Sequence, residues 1–566
     1  MPSIMEQSAI HHARKFSAKQ KKLALLIVAL AFVMDLLDST IVNVAIPSIQ
    51  ANLGASYANI QWLVAGYSLA FALLLITGGR MGDVFGYKKI FLVGVAGFTV
   101  ASVLTGIAPT PVFLVVARLL QGAMAALMVP QVMSMMQVIY EPKERAGVMG
   151  MFGMLGGLAA SLGPIVGGLL IKANIFNWDW RPIFLINVPV GLFALFAGWK
   201  YLPDGRSEHP LHIDIKGTLL IVVALSLLVF PLIEGRELDW PLWSMVLLGL
   251  SIPALVLFGL YEIRKDRRDH SALVVPALFR VKTFVSGLLL NIIVESVMVG
   301  YFLTSTLVLQ IGFGYSPIKA ALTAIPVAIG MTIGFAVLGN KVITRFGRNV
   351  ISMAATTFAC GLIYTAFIFT HYTLHAAPWQ FTPGFLIIGI GLSLIMVPIF
   401  SVALQDVDVT HAGSASGILN AVQQVGAAIG IAVIGVIFFG QLGHESYQSF
   451  DKISGEMRTS LSSLNLPVSA QDGIIAQTRA CFHDRSIQKD NNLVPASCKQ
   501  AQASAPSNEI SRQIGQAIKS GAMEANATNF ASAFRSCVIY VILLLVVISG
   551  LSLTLPRKFK MAHEGV

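Results

Sequence analysis

Apolar runs of roughly twenty residues recur fourteen times along this chain, each long enough to cross a ~30 Å hydrocarbon layer as a helix. They lie near 23–46, 59–78, 89–108, 111–134, 144–171, 180–202, 215–234, 241–262, 283–311, 317–338, 350–371, 380–404, 412–440 and 530–555. In lipid every backbone N–H and C=O must find its partner within the spanning segment, so the repeated runs dictate an all-α polytopic membrane protein. Composition agrees: of 566 residues 55% are hydrophobic and 12% charged, against ~25% charged in an ordinary soluble domain. A soluble cytosolic enzyme and a disordered chain are both excluded. The first run is too long for a cleaved signal and is followed at once by others, so it reads as a retained span.

The net charge of +11 on a soluble protein would suggest nucleic acid, but its placement points elsewhere. Alternating the loops puts Arg14, Lys15, Lys19, Lys21, Lys22, Arg80, Lys88, Lys89, Lys143 and Arg145 on one side. The same side takes Arg264, Lys265, Arg267, Arg268, Lys341, Arg345, Arg348, Arg557, Lys558 and Lys560. The short loops opposite carry only Lys172, Arg181, Arg236 and Lys319. Such asymmetry predicts both termini in the cytoplasm, a cytoplasmic (inner or plasma) membrane location and contact with the lipid bilayer, with no nucleic-acid partner.

Polar breaks divide the chain. A cytoplasmic tail (1–22) precedes a six-helix bundle (23–202), then two additional helices with their linkers (203–282). Helices nine to thirteen follow (283–440), then a long extracytoplasmic loop (441–529), the last helix and a cytoplasmic tail (530–566). Within the long loop, Ile510, Ile514, Ala517 and Ile518 recur at helical spacing, which predicts an amphipathic helix feeding the last span.

Ionisable groups inside spans cost at least ~2.5–3.5 kcal/mol each on insertion scales and so are kept for a reason. Asp35 and Asp38 stand three residues apart in the first span, on neighbouring parts of one helical face. Two carboxylates so placed cannot both ionise cheaply, which suits a proton carrier; the alternative is a purely structural role. Arg118, in the middle of the fourth span, needs a carboxylate or carbonyl partner, and the Asp pair is the candidate. Glu295 in the ninth span is a second proton site, a counter-charge for substrate, or a polar contact between helices.

Glycines mark places of close approach. The segment Gly79-Arg80-Met81-Gly82-Asp83-Val84-Phe85-Gly86-Tyr87-Lys88-Lys89 reads as a short cytoplasmic loop in which Asp83 pairs with a basic group. In the fifth span, Gly163, Pro164, Gly167 and Gly168 predict tight helix packing with a bend. Of the four cysteines, Cys481 and Cys498 fall in the long external loop, where an oxidising compartment favours a disulfide closing a loop of about 17 residues. No phosphate-binding loop, His-Glu-x-x-His, Cys-x-x-Cys or nucleophile elbow occurs, so neither enzyme activity nor a cofactor or metal is expected.

The stretch Leu37 to Pro47 resembles the first-helix signature of the fourteen-helix drug:proton antiporters of the major facilitator superfamily (the quaternary-ammonium and multidrug efflux type). The segment Gly79 to Lys89 resembles the superfamily's cytoplasmic loop motif, Arg118 to Gly122 its fourth-helix arginine motif, and Gly163 to Gly168 its antiporter motif. The resemblance implies a 6+2+6 fold working by alternating access, with Asp38 as the proton-coupling acid, Arg118 as its modulator and Asp83 in the cytoplasmic gate. One departure is that the second-half counterpart of the gate loop, Lys341 to Arg348, carries Thr344 in place of Asp83. The function expected is proton-coupled export of lipophilic, cationic small molecules by a monomer, with room for a periplasmic adaptor. Alternatives are export of a lipid, fatty acid or siderophore, or a scaffold or sensor built on the external loop.

Overall fold

The computed structural model describes residues 17–140, 142–205, 213–269, 271–335, 342, 345–407, 412–464, 466–488, 495–498 and 509–557. Arg14, Lys15, Lys341, Thr344, Lys558 and Lys560, named above, lie outside the described residues, as do the side chains of Lys143, Arg145, Arg236 and Ile510.

Among the described residues all regular structure is helical. The helices run α1 (Ala18–Leu53), α2 (Tyr57–Phe85), α3 (Tyr87–Gly106), α4 (Pro111–Ile139), α5 (Pro142–Ala173), α6 (Asn187–Tyr201), α7 (Ile215–Glu237) and α8 (Leu242–Asp269). They continue as α9 (Lys282–Leu307), α10 (Pro317–Ile333), α11 (Asn349–Tyr372), α12 (Pro378–Leu404), α13 (Ala412–His444), α14 (Ser446–Ser462), α15 (Val468–Ile487) and α16 (Glu509–Ser552). Among the described residues twelve helices are long and apolar enough to cross a membrane, and two shorter apolar stretches, Leu162–Ala173 of α5 and Pro317–Ile333, stand where the remaining two spans are expected. The fourteen-span reading is compatible with this set.

Turn chemistry sets the helix ends. Ser17, Ser56, Thr110 and Ser316 each cap a helix by accepting a backbone N–H in its first turn. Gly54 ends α1 in the left-handed conformation (φ 65°). Traversing the bundle alternately, the helices define a near end, where the described chain begins, and a far end. The near end is tied by Tyr140 to the carbonyl of Lys21 (3.0 Å) and by Arg348 to those of Leu553 (2.7 Å) and Leu555 (2.9 Å). At the far end Asn526 donates to the carbonyl of Ile311 (2.8 Å) and Asn52 to Asp179 (3.2 Å).

Helices α1–α6 pack on one another, as do α9–α13 with α16; the two groups meet through α2 against α13 and α5 against α10. Far-end contacts close that junction. Tyr57 stacks on Phe439 with ring centroids 4.1 Å apart, and a β-carbon on Gly168 would lie 3.0 Å from Cα of Ile318. The extra pair α7–α8 packs on itself and, through α7, on α2 and α13. The outer helix α8 exposes Leu242, Ile252, Val256 and Leu257, as a lipid-facing helix must.

Two readings of the sequence need correction. The segment 441–529, read as a loop, is helical in most of its described parts. Phe450, Ile453, Met457 and Leu461 of α14 recur at helical spacing and bury a small core with Ile475 and Phe482 of α15 and Ile514 of α16. The amphipathic helix expected there and the last span form one unbroken helix, α16. Likewise Gly79, Gly82 and Asp83 do not lie in a loop but in the last turns of α2. Gly86 alone breaks the chain, at φ 102°. Gly82 stays helical because its missing side chain lets Gln131 of α4 lie against it.

Candidate functional site

Asp38, at mid-length of α1, is completely shielded from solvent, and so is Arg118 of α4 to within 1%. Burying either charge alone would be prohibitive, and the two form an ion pair, Nη1 of Arg118 on Oδ2 of Asp38. The other carboxylate oxygen accepts amide hydrogens from Gln121 of α4 (2.8 Å) and Asn187 of α6 (2.7 Å). Both amides also reach the hydroxyl of Ser102 on α3, at 2.9 and 3.3 Å. Arg118 further donates to Oε1 of Gln121 (2.8 Å) and to the carbonyl of Leu63 on α2 (3.2 Å). Five helices contribute to the network around one carboxylate, which itself meets three donors.

Asp35 sits one turn away but takes a different partner. Its carboxylate accepts the hydroxyl of Tyr67 on α2, and the Tyr67 ring lies 4.3 Å beneath the Arg118 guanidinium. Tyr67 therefore touches both acid systems, and among the described residues Arg118 forms its ion pair with Asp38 and not with Asp35. Small residues of α5 pack against α1 just beyond the acid. A β-carbon on Gly163 would strike Thr40, and one on Gly167 would sit 2.7 Å from the Ile41 side chain. Gly168, beside them, faces α10, and Pro164 lies inside the same helix. Glycine at these positions joins the acid-bearing helix to the helix that meets the other group.

Glu295 of α9 is buried (3% exposed), and its carboxylate accepts the side-chain amide of Gln423 on α13. It shares no hydrogen-bond partner with Asp38 among the described residues. Gln61 on α2 and Gln310 after α9 are buried with both side-chain amide atoms unpartnered among the described residues. At the near end, Asp83 accepts the hydroxyl of Tyr87 (2.9 Å). Lys88 approaches Asp204 at 3.8 Å. Cys481 and Cys498 are joined by a disulfide beside the small α14–α15 core. There Asp451 accepts two hydrogen bonds from Arg479 (2.6 and 2.7 Å), which hold its carboxyl below the usual carboxylate range.

Gln121, Asn187, Ser102, Tyr67 and Gln423 are absent from the sequence-based set. All are neutral, so a search for charges within apolar runs passes over them. Gln121 carried a signal, lying three residues after Arg118 and thus on the same helical face.

A family model described as Major Facilitator Superfamily matches residues 28–431. The chain is 38% identical over 528 residues to “Probable actinorhodin transporter” of Streptomyces coelicolor, covering 93% of this chain and 90% of that one. It is 35% identical over 425 residues to “Tetracenomycin C resistance and export protein” of Streptomyces glaucescens, covering 74% and 76%. Among solved structures, a bacterial homologue of the human lysosomal transporter Spinster aligns with TM-score 0.57 at 16% identity, covering 95% of this chain and 97% of that one, and so shares the fold. Family match, relatives and fold agree: the chain belongs to the Major Facilitator Superfamily and is a multi-pass membrane transporter rather than an enzyme.

Proposed function

We propose that the protein is a proton-coupled exporter of lipophilic small molecules in the cytoplasmic membrane, with its near end and both termini in the cytoplasm. The observation that carries this reading is the Asp38 carboxylate, buried at mid-length of α1 and held by Arg118, Gln121 and Asn187. A proton arriving on Asp38 removes the charge that holds Arg118. Arg118 then keeps the Leu63 carbonyl, the Gln121 side chain and the Tyr67 ring, all on α2 and α4. The contact of α1 with α4 is thereby loosened by one charge. Because α1 packs on the Gly163–Gly167 face of α5, and α5 meets α10 at Gly168, the change reaches the junction between the two groups.

The substrate class follows from two things. Relatives carry names of antibiotic export and resistance, such as actinorhodin and tetracenomycin C. Buried Gln61 and Gln310 have hydrogen-bonding capacity to spare for a polar group on an otherwise apolar molecule, and Glu295 can act as counter-charge for a cationic one. The helices divide as six, two and six, with α14, α15 and the start of α16 forming an external cap. The protein works as a monomer. The test is export from proteoliposomes under an imposed pH gradient. Gradient-driven movement of a lipophilic dye by the wild type, lost in Asp38→Asn with its fold intact, supports the reading; equal movement in both removes Asp38 from the mechanism.

A further inference from the structure

A second pair of buried acids lies far from Asp38, where the extra helix pair joins the near end. Asp214 precedes α7 and Glu262 is near the end of α8; each is 3% exposed. Each carboxylate has one oxygen satisfied by neutral donors. Oδ1 of Asp214 accepts the Gly217 N–H (2.9 Å) and the Tyr261 hydroxyl (2.8 Å), and Oε2 of Glu262 accepts the Val274 N–H (2.9 Å). The remaining oxygens, Oδ2 of Asp214 and Oε1 of Glu262, are buried without a partner among the described residues. Both aim at one place: they lie 2.6 and 2.5 Å from the point where a β-carbon on Gly217 would sit. No more than the sum of those distances separates them.

Two buried anions facing one point repel unless something positive offsets them. Arg80 of α2 is the near cation, but its terminal nitrogens are engaged by the carbonyls of Ser271 (2.7 Å) and Ala272. Among the described residues, the other charged or titratable groups facing the cluster are Asp83 on α2, and Tyr261 and Asp269 on α8; Asp269 is paired with Lys265 (2.7 Å). These leave the cluster with excess negative charge. A single proton on one orphan oxygen removes one of the two negative charges and gives that oxygen a hydrogen to donate toward the other.

We propose that Asp214 and Glu262 share one proton, forming a binding site separate from Asp38 that locks the extra helix pair and the 271–275 linker onto the Arg80 end of α2. Thr77 and Thr218, 2.8 Å apart, complete the same junction. With the proton bound, Glu262 holds Val274 while Arg80 holds Ser271 and Ala272. When the proton leaves, the two anions repel and the linker loosens. High cytoplasmic pH therefore frees the segment that leads into α9, and low pH fixes it.

The test is hydrogen exchange of residues 271–275 in the full-length protein in lipid nanodiscs, without substrate, corrected for the intrinsic pH dependence of exchange. Wild-type protection should fall roughly tenfold or more between about pH 6 and pH 9. In Glu262→Gln, whose amide keeps the Val274 acceptor and donates to Asp214, protection should stay high and flat over the same range. Gly217→Ala, which forces a methyl group between the two oxygens, should lower protection at pH 6 toward the wild-type value at pH 9. Asp38→Asn should retain the wild-type profile, so failure of the transport reading and failure of this one are distinguishable. A flat wild-type profile overturns the proposal, as does an unchanged pH slope in Glu262→Gln. Restoration of protection at pH 9 by sodium or potassium overturns it too, because the site would then hold a metal cation.

Discussion

The two groups of helices treat a buried acid in opposite ways. In α1–α6, Asp38 is tied by an arginine and two amides, and five helices contribute to one connected network. In α9–α13, Glu295 meets one amide from one neighbouring helix. The difference separates two kinds of work. A fully satisfied polar network in low dielectric fixes a single arrangement, so disturbing one member by a proton has a large and defined consequence. An acid with a single neutral donor is left with capacity for another group. On the proposed reading, the first group moves the proton and the second adapts to what is carried.

Removing Arg118 is the most severe way to break that contrast. Arg118→Ala leaves Asp38 buried without its counter-charge and should cost about 3–5 kcal/mol, seen as a lowered unfolding temperature in detergent. An equal loss in Glu295→Gln would erase the distinction between the groups. Next in size is the cap, whose described helices pack on α13 and α16 of the second group. Reducing Cys481–Cys498 opens a loop of 17 residues, a loss of about 3 kcal/mol of local stability by the chain-entropy estimate. Proteolysis should then attack α14 and α15 while the membrane helices stay intact; simultaneous unfolding of the bundle would show the cap to be an integral part of it.

Glu295→Gln itself should be mild, because an amide in its place still bonds Gln423. The expected change is about 1 kcal/mol, roughly fivefold in the affinity for a cationic substrate and less for a neutral one. A loss of proton coupling as complete as that of Asp38→Asn would mean that both groups carry the proton. Smallest is the exposed Asp451–Arg479 pair, worth about 0.2–1 kcal/mol. Its carboxyl is depressed in the folded cap, so its contribution is fully present above the unfolded value of about 4 and is lost as pH falls through the folded one. Cap protection in Asp451→Asn should match the wild type only in strong acid and be lower than the wild type at neutral pH.

Much of the architecture is legible in the sequence because apolar length acts segment by segment. The i, i+3 spacing of Asp35 and Asp38 and the lone Arg118 can be read in the same way. What escapes is whatever depends on a third dimension. Nothing local tells Asp35 to pair with Tyr67 while Asp38 takes Arg118, and Asn187 is an unremarked neutral residue until α6 brings it to Asp38. The cap is missed for another reason: its polar surface hides the spacing of Phe450, Ile453, Met457 and Leu461, whose burial requires α15 and α16 as partners. The end of α2 is misread because glycine signals a turn in water but close helix packing in a bundle.

The central claim is that the proton is carried at Asp38. Proton release on adding substrate to the purified protein in weakly buffered detergent solution measures it directly. The expected result is a substoichiometric to stoichiometric release in the wild type and in Glu295→Gln, and none in Asp38→Asn that still binds substrate. Undiminished release from Asp38→Asn would contradict the claim.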